Sequence, residues 1–125
     1  MTREQCLHAF WSSFGWKAYD ETSVPDINNL PDDAKYNRIT YEVAVGEFGT
    51  PVSLTSSLWE RSTSWAGVTS KAEQIYAYIG RGGRILYYDG GALWIRRGSP
   101  WAQRMGDSDD MMRRIVLNVE VEFIE

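Results

Sequence analysis

Few residues in this sequence could support catalysis or bind a metal. It has one cysteine, Cys6, and one histidine, His8, which excludes an internal disulfide, a multi-cysteine zinc site and any metal site that needs two imidazoles. These two residues lie on different faces of a predicted helix, which argues against a local Cys–His dyad. Activation of a serine in the segment 56–65 would require His8 and a carboxylate to be brought together by the fold. We expect no catalytic residue, no cofactor and no metal ion.

Two polar motifs have simple structural interpretations. The run GRGG at residues 80–83 resembles a phosphate-binding loop, but it follows a predicted helix and lacks the Lys-Ser/Thr pair of a P-loop. It is interpreted as a helix stop followed by a turn. Asp107, Asp109 and Asp110 could bind a divalent cation, but they lack the spacing of a calcium loop with its distant glutamate. A helix cap or a solvated turn is the favoured interpretation of these aspartates.

Charged side chains are divided by sign along the chain. Residues 20–60 contain eight acidic side chains against two basic ones, a net charge of −6, whereas residues 81–104 contain five arginines against one aspartate, a net charge of +4. Arginine is favoured in interfaces because its planar guanidinium pairs bidentately with carboxylates and is weakly hydrated. Two interpretations stay open, a mixed-sign surface and an interface between complementary patches. The candidate interface residues are Asp20, Glu21, Asp26, Asp32, Asp33, Arg81, Arg84, Arg96, Arg97, Trp101 and Arg104.

Length and composition restrict the class of protein. A chain of 125 residues has room for one globular domain, here residues 1–125. The net charge of −4 argues against a protein whose main task is to bind nucleic acid, which requires clustered lysine and arginine. No segment approaches the roughly 18 consecutive apolar residues of a membrane span. The first residues lack a signal-peptide pattern, so we expect a cytoplasmic protein.

Aromatic residues are abundant, at 14% of the chain. Trp16, Trp65 and Trp101 lie in predicted loops and are candidate interface anchors, because tryptophan is enriched in the buried centres of interfaces. Trp11 and Trp94 lie on periodic apolar faces, so they are better interpreted as residues that cover a thin core than as interface anchors.

Hydrophobic periodicity predicts two helices and five strands. A capping box formed by Thr2 and Gln5 starts a helix that ends near Phe14, and a second helix follows possible caps at residues 62–64 and ends at Gly80. The predicted strands lie in residues 38–45 and 51–62, in a hairpin at 84–97 that turns through 89–91, and in residues 113–125. Residues 16–37 and 98–110 are predicted to be loops, and the first is expected to be poorly ordered or extended in the free protein and to become ordered on assembly.

The element order α-β-β-α-β-β-β predicts an α+β fold, with a mainly antiparallel sheet of about five strands and two helices on one face. The apolar positions that share a face in each element form the predicted core. The helix positions are Leu7, Phe10, Trp11, Val68, Ala72, Ile75 and Ile79, and the sheet positions are Ile39, Tyr41, Val43, Leu117 and Val119.

Three short motifs resemble those of a known group of virion proteins. They are ITYE at residues 39–42, SLWERS at 57–62 leading into a helix that contains AEQI, and the alternating strand at the end of the sequence. With the 84–97 hairpin, this pattern is similar to the tail-terminator and minor tail proteins, also called head–tail joining proteins, of long-tailed bacteriophages and prophages. The resemblance covers most of the chain.

The resemblance implies a non-enzymatic assembly protein. Proteins of this group are made in the host cytoplasm and become part of the virion, where they form a ring, typically of six subunits, on the tail tube. The implied partners are other copies of the chain, the tail-tube protein and the head-completion protein, with DNA only as passing cargo.

The division of charge along the chain leads to a further expectation. Isolated subunits should associate weakly, and reversal of Arg96 and Arg97 to glutamate should block the ring. The fold should stay intact, because exposed charges contribute little to folding stability.

Other functions stay open at this point. One is a different neck protein at the head–tail joint, since such proteins share much of the pattern. Another is a nucleic-acid-binding module that uses the arginines between residues 81 and 97 together with Trp101. The last is a small enzyme or ligand-binding domain, which would need a concave apolar pocket with converging polar groups.

Overall fold

The computed structural model describes residues 1–26, 29–30, 37–106 and 111–124, and these form two helices and six strands. Along the chain the elements are α1 (Arg3–Ser12), β1 (Lys17–Asp20), β2 (Asn37–Tyr41), β3 (Val52–Arg61), α2 (Ala66–Ile79), β4 (Arg84–Tyr88), β5 (Gly91–Met105) and β6 (Met112–Ile124). The strands form one sheet in the order β1-β2-β3-β6-β5-β4. All neighbours are antiparallel except β1 and β2, which are parallel. The predicted α+β class is confirmed, with six strands instead of five.

Both helices begin and end close to their predicted positions. Thr2 caps α1 through a capping box, in which its hydroxyl accepts from the backbone N–H of Gln5 at 3.1 Å and the Gln5 side chain accepts from the Thr2 N–H at 2.8 Å. The N-cap of α2 is Trp65, not one of the predicted residues 62–64, although the Ser64 hydroxyl accepts from the Ala66 N–H at 3.1 Å. Gly80 ends α2 with φ of 77°, a conformation in which glycine is favoured.

The core lies between the two helices and one face of the sheet. Eleven of the twelve predicted core residues are buried, and Val43 is half-buried against the same cluster. Val45, which the alternating pattern placed with them, is 46% exposed because β2 ends at Tyr41 and the chain then leaves the sheet. The opposite face of the sheet, called here the outer face, has no described helix packed on it.

The predicted loop at residues 16–37 contains a strand. Lys17–Asp20 forms β1 and pairs with β2, so that Ala18 lies opposite Ile39 and is buried. The prediction that residues 16–37 form a loop throughout is therefore wrong for β1. Four residues are too few to show a period of two, and a parallel partner 21 residues away, Ile39 for Ala18, leaves no hairpin signal. Residues 27–28 and 31–36, which include Asp32 and Asp33, lie outside the described residues.

The predicted loop at residues 98–110 is also mostly strand. β5 continues to Met105, and its pairing with β6 shifts register between Arg97 and Ala102. Gly98 lies inside this irregularity, where an added Cβ would lie 2.6 Å from the backbone oxygen of Asn118. Gly98 and Pro100 belong to the predicted loop, but in the structure they form a bulge in a long strand. Asp107, Asp109 and Asp110 lie outside the described residues.

Candidate subunit interface

The acidic and basic candidate residues lie at opposite edges of the sheet. Asp20 ends β1, the strand at one edge, and Glu21 follows it directly; these two residues are called here the acidic edge. Arg81 and Arg84 lie just before and at the start of β4, the strand at the other edge, and are called the arginine edge. Five strand spacings separate the two edges, about 24 Å at about 4.8 Å per step. The charge division of the sequence is therefore also a division in space.

The acidic edge has one constrained carboxylate and one exposed carboxylate. Asp20 Oδ1 accepts from the backbone N–H of Thr22 at 2.9 Å and from its hydroxyl at 2.8 Å. Glu21 is exposed, and its backbone N–H donates to the Tyr41 carbonyl at 2.9 Å, which keeps it beside β2. Asp26 is exposed further along the chain. Glu21 is thus the carboxylate of this edge that is best placed to meet a partner.

The neighbouring arginines of β5 point to opposite faces of the sheet. Arg96 lies on the outer face, where its guanidinium is 3.7 Å from Glu120 and 3.5 Å from Glu122. Arg97 lies on the helix side, and its Nε and Nη2 both donate to the Tyr76 carbonyl near the end of α2, at 2.9 and 2.8 Å. Both arginines are half-buried, so the premise that they are exposed charges with little effect on folding is wrong.

Three other basic residues have distinct positions. Arg84 donates to the Tyr78 carbonyl, and its guanidinium lies 4.0 Å from the centre of the Tyr78 ring. The Arg104 guanidinium lies 4.8 Å from the Trp65 ring, also on the helix side. Arg81 is exposed in the turn after α2. Of the predicted basic patch, Arg81 is the residue that presents its charge most directly to solvent.

The predicted tryptophan anchors are packed inside the subunit. Trp16, Trp65 and Trp101 are all half-buried against the core, and the Trp101 ring lies 5.5 Å from that of Tyr76. Large exposed apolar side chains lie on β4 instead, where Ile85 is 44% and Tyr87 is 76% exposed. The sequence carried a signal for them, because RILYY has large apolar residues on both faces of a strand that is buried on one face only.

A polar cluster near the end of α1 was not predicted. His8 Nδ1 lies 2.9 Å from the Tyr41 hydroxyl, and the Ser12 hydroxyl lies 3.3 Å from His8 Nε2. These groups lie beside a cleft of about 680 Å³ that Trp16 and Lys17 also line. Activation of a serine by His8 would require a carboxylate beside the imidazole, but the Tyr41 phenol takes that place and cannot stabilise an imidazolium as a carboxylate does.

Burial shifts the pKa of two groups in this part of the fold. Burial, followed by the negative charges of Asp20 and Glu4, raises the pKa of Tyr41 above its ordinary value. Burial alone raises the pKa of the Cys6 thiol. Both groups are therefore held in their neutral forms. Within the described ranges no three potential ligands are grouped to hold a metal ion, and no described helix is long and apolar enough to cross a membrane.

Comparison with known proteins gives one informative likeness. No protein-family model and no curated protein sequence matches the chain. Among solved structures, a chain in the virion of a native gene transfer agent particle superposes with a TM-score of 0.55 and 19% sequence identity. The match covers 94% of this chain and 83% of that chain. At this level of identity the likeness shows that the two chains share an α+β fold over nearly their whole length.

Proposed function

We propose that this chain is a non-catalytic virion assembly protein of the phage type, a tail terminator that forms a ring on the end of the tail tube and joins it to the head-completion proteins. The observation that carries the proposal is the fold shared, across 94% of this chain, with a chain of a gene transfer agent virion. The motif resemblance at residues 39–42 and 57–62 points to the same class of tail-terminator and head–tail joining proteins, within which we propose the tail terminator.

The two edges of the sheet support ring formation. In a cyclic ring each subunit offers one surface to the neighbour ahead and a different surface to the neighbour behind. The acidic and arginine edges are two such surfaces, with opposite charge and on opposite sides of the molecule. Their attraction would orient each subunit head to tail and disfavour a contact between like edges.

The test compares single and combined charge reversals. We expect Glu21→Arg and Arg81→Glu each to weaken self-association, because each places like charges at every joint of the ring. The double variant should recover association, because the reversed edges again attract. Glu73→Arg, at an exposed position on α2, is the matched control and should associate like the parent. The measurement is light-scattering mass across protein concentration, with and without the tail-tube protein.

Two outcomes would contradict the proposal. If the parent neither associates with itself nor binds the end of tail tubes, the terminator role is wrong. If it binds head-completion proteins but not tubes, it is a neck protein on the head side of the joint.

A nucleic-acid-binding module is a second candidate, favoured by arginines that stack on aromatic rings. The Arg97 guanidinium lies 3.4 Å from the centre of the Tyr76 ring, and Trp101 continues the aromatic row. Arginine and aromatic rings together form platforms for single strands. However, the hydrogen bonds of Arg97 described above are already made within the subunit. Salt-dependent binding of single-stranded DNA, lost in Arg104→Ala, would favour this candidate over the ring.

A further inference from the structure

Three cations and one tryptophan of the outer face lie side by side across the sheet. The strand register places them directly opposite one another on β1, β2, β3 and β6, in the order Lys17, Arg38, Trp59 and Arg114. Ala18, which follows Lys17, is buried in the core, so Lys17 and its partners point to the outer face. Three steps of about 4.8 Å make this line about 14 Å long. It is called here the cationic row.

The charge of the cationic row is opposite in sign to the net charge of the chain. The neighbouring row on the outer face has no charged side chain and consists of Tyr19, Thr40, Ser57 and Val116. The whole chain carries a net charge of −4. Positive charge that is concentrated on one surface of an acidic protein attracts an anionic ligand to that surface.

Lys17 and Arg114, at the two ends of the cationic row, have donors that are available to a ligand. Lys17 is exposed, and its ammonium makes no hydrogen bond or ion pair with the residues that the structure describes. Arg114 donates to the Ser57 hydroxyl through Nε and Nη2, at 3.1 and 3.0 Å, and its Nη1 makes no hydrogen bond within the described ranges. A guanidinium fixed in this way can still donate in its plane to a phosphate oxygen.

A cleft of about 400 Å³ lies over the middle of the row. Its lining residues are Glu21, Thr22, Val24, Arg38, Thr40, Trp59 and Arg114, and it is called here the Trp59 cleft. The guanidinium groups of Arg38 and Arg114 lie 4.9 and 4.6 Å from the centre of the Trp59 ring, and they leave little of the ring face to a ligand. Thr40 accepts from Trp59 Nε1 at 3.0 Å, so the hydrogen of its own hydroxyl is available to an acceptor in the cleft.

We propose that the cationic row binds the sugar–phosphate backbone of a single nucleic-acid strand. Lys17 and Arg114 each contact a phosphate, and the Thr40 hydroxyl donates to a phosphate oxygen in the Trp59 cleft. The site reads no base, because the Trp59 ring is occupied by the two guanidinium groups, so the affinity does not depend on the nucleotide sequence. The inference goes beyond the proposed assembly role and does not depend on the ring.

The chemistry of the row favours a phosphodiester backbone over an acidic peptide. A nucleic-acid strand carries one anion on every nucleotide, in a line, as the row carries its cations. Lysine, arginine and threonine side chains are common contacts to phosphate oxygens. A peptide would need apolar anchors besides its charges, but Val24 is the only aliphatic side chain among the described lining residues of the Trp59 cleft. The exposed Ile85 and Tyr87 lie on β4, at the other edge of the sheet.

The first test measures binding to an oligothymidylate of about 12 nucleotides by fluorescence anisotropy, at protein concentrations too low for self-association. Two phosphate contacts on a single strand predict a slope of about −1.4 for the logarithm of the binding constant against that of the salt concentration. Lys17→Ala should halve this slope and weaken binding about five- to tenfold at about 0.05 M salt. Arg104→Ala is the matched control, because it removes one exposed positive charge from the helix side, and it should bind like the parent.

Four results of this test would overturn the proposal. The first is a parent that shows no salt-dependent binding. The second is a Lys17→Ala variant with the slope and affinity of the parent. The third is an equal loss in Lys17→Ala and Arg104→Ala, which would mean that positive charge anywhere on the molecule attracts the strand. The fourth is a loss in Arg104→Ala alone, which would place the strand on the helix side.

The second test uses the carboxylate at the rim of the Trp59 cleft. Glu21 is exposed and repels a phosphate, so Glu21→Gln should strengthen binding of the oligothymidylate about two- to fivefold at low salt. Glu73→Gln is the matched control, since it removes the same charge from an exposed position on α2, and it should bind like the parent. Equal strengthening by the two variants would contradict the proposal, because it would reflect the net charge of the chain and not the cleft.

A competition assay decides between a nucleic acid and a peptide. An oligoglutamate peptide with the same net charge as the oligothymidylate should displace it from the parent only weakly. If the peptide binds more tightly than the oligothymidylate and Lys17→Ala weakens its binding, the row takes an acidic peptide and the proposal is wrong. None of these results bears on the terminator role, which is tested by self-association and by binding to tail tubes.

Discussion

At the scale of single residues, Tyr41 links α1 to the centre of the sheet. Its hydroxyl lies 2.9 Å from His8 Nδ1, and its side chain is only 3% exposed. We expect Tyr41→Phe to lower the unfolding free energy by about 1 kcal/mol at neutral pH, because it removes this hydrogen bond. Urea unfolding measures the difference. Tyr87→Phe is the control, since the Tyr87 side chain lies mostly in solvent.

The same pair of variants tests the raised pKa of Tyr41. The folded protein holds the Tyr41 proton more tightly than the unfolded chain, in which a tyrosine has a pKa of about 10. The unfolded chain therefore loses this proton first, and the unfolding free energy of the parent falls as pH rises above about 10. Below that pH the contribution of Tyr41 to the unfolding free energy is fully present and does not change with pH. The gap between parent and Tyr41→Phe should narrow at high pH, and a constant gap would contradict the shift.

At the scale of elements, the neighbouring residues Arg96 and Arg97 of β5 stabilise the fold through different contacts. Arg97 donates two hydrogen bonds to the negative end of α2, whereas Arg96 forms partly exposed ion pairs. We expect Arg97→Ala to lower the unfolding free energy by about 1–2 kcal/mol and Arg96→Ala by less than about 1 kcal/mol. Urea unfolding of both variants gives the comparison. The reverse order would mean that Arg97 does not stabilise the end of α2.

The bulge in β5 should be sensitive to a single methyl group. An added Cβ at Gly98 would lie 2.6 and 2.7 Å from the backbone oxygen and carbon of Asn118, whereas one at Gly82 would meet nothing within 4 Å. We expect Gly98→Ala to lower the unfolding free energy by about 1–3 kcal/mol, because β5 and β6 would have to separate. Gly82→Ala should stay within about 0.5 kcal/mol of the parent. Thermal unfolding of both variants measures the difference. Equal stability of Gly98→Ala and Gly82→Ala would mean that the backbone at the bulge shifts to accommodate the methyl group, and the prediction would be wrong.

The elements that could be predicted are those with a strong local signal. The helix periods, the capping box at Thr2 and the alternation of β6 all act over a few residues, and each was confirmed. β1 could not be predicted, because its partner is distant in sequence and its four residues show no period. The bulge was missed because the pairing of β5 with β6 on either side of it, and the hydrogen bond from the Asn118 side chain to the Pro100 carbonyl, are non-local.

At the scale of the whole molecule, the charge of each edge should make assembly sensitive to salt. Exposed charges are screened over about 8 Å at physiological ionic strength. We therefore expect the self-association constant to fall as salt rises, and light-scattering mass at several salt concentrations measures it. If the self-association constant does not change with salt concentration, apolar contacts alone hold the copies together. The self-association constant of the double variant Glu21→Arg/Arg81→Glu should depend on salt concentration in the same way as that of the parent.

The candidate interface was only partly predictable at this scale. The sequence shows which segments are acidic or basic, but only the strand order shows that they lie at opposite edges. Alternation along the predicted strand already places Arg96 and Arg97 on different faces, but the sequence could not show which groups they contact. The cleft lined by Arg38, Trp59 and Arg114 requires side chains from β2, β3 and β6 together, so no single segment carries its pattern.

The position of β6 has a consequence for synthesis. This strand comes after all the other elements in the chain, yet it lies in the interior of the sheet between β3 and β5. While a ribosome is still making the earlier segments, both partner strands lack their shared neighbour and the two halves of the sheet remain separate. The two charged edges reach their final separation only when residues 112–124 have emerged. If the proposed ring forms through these edges, we expect it to assemble only from subunits that are complete through β6.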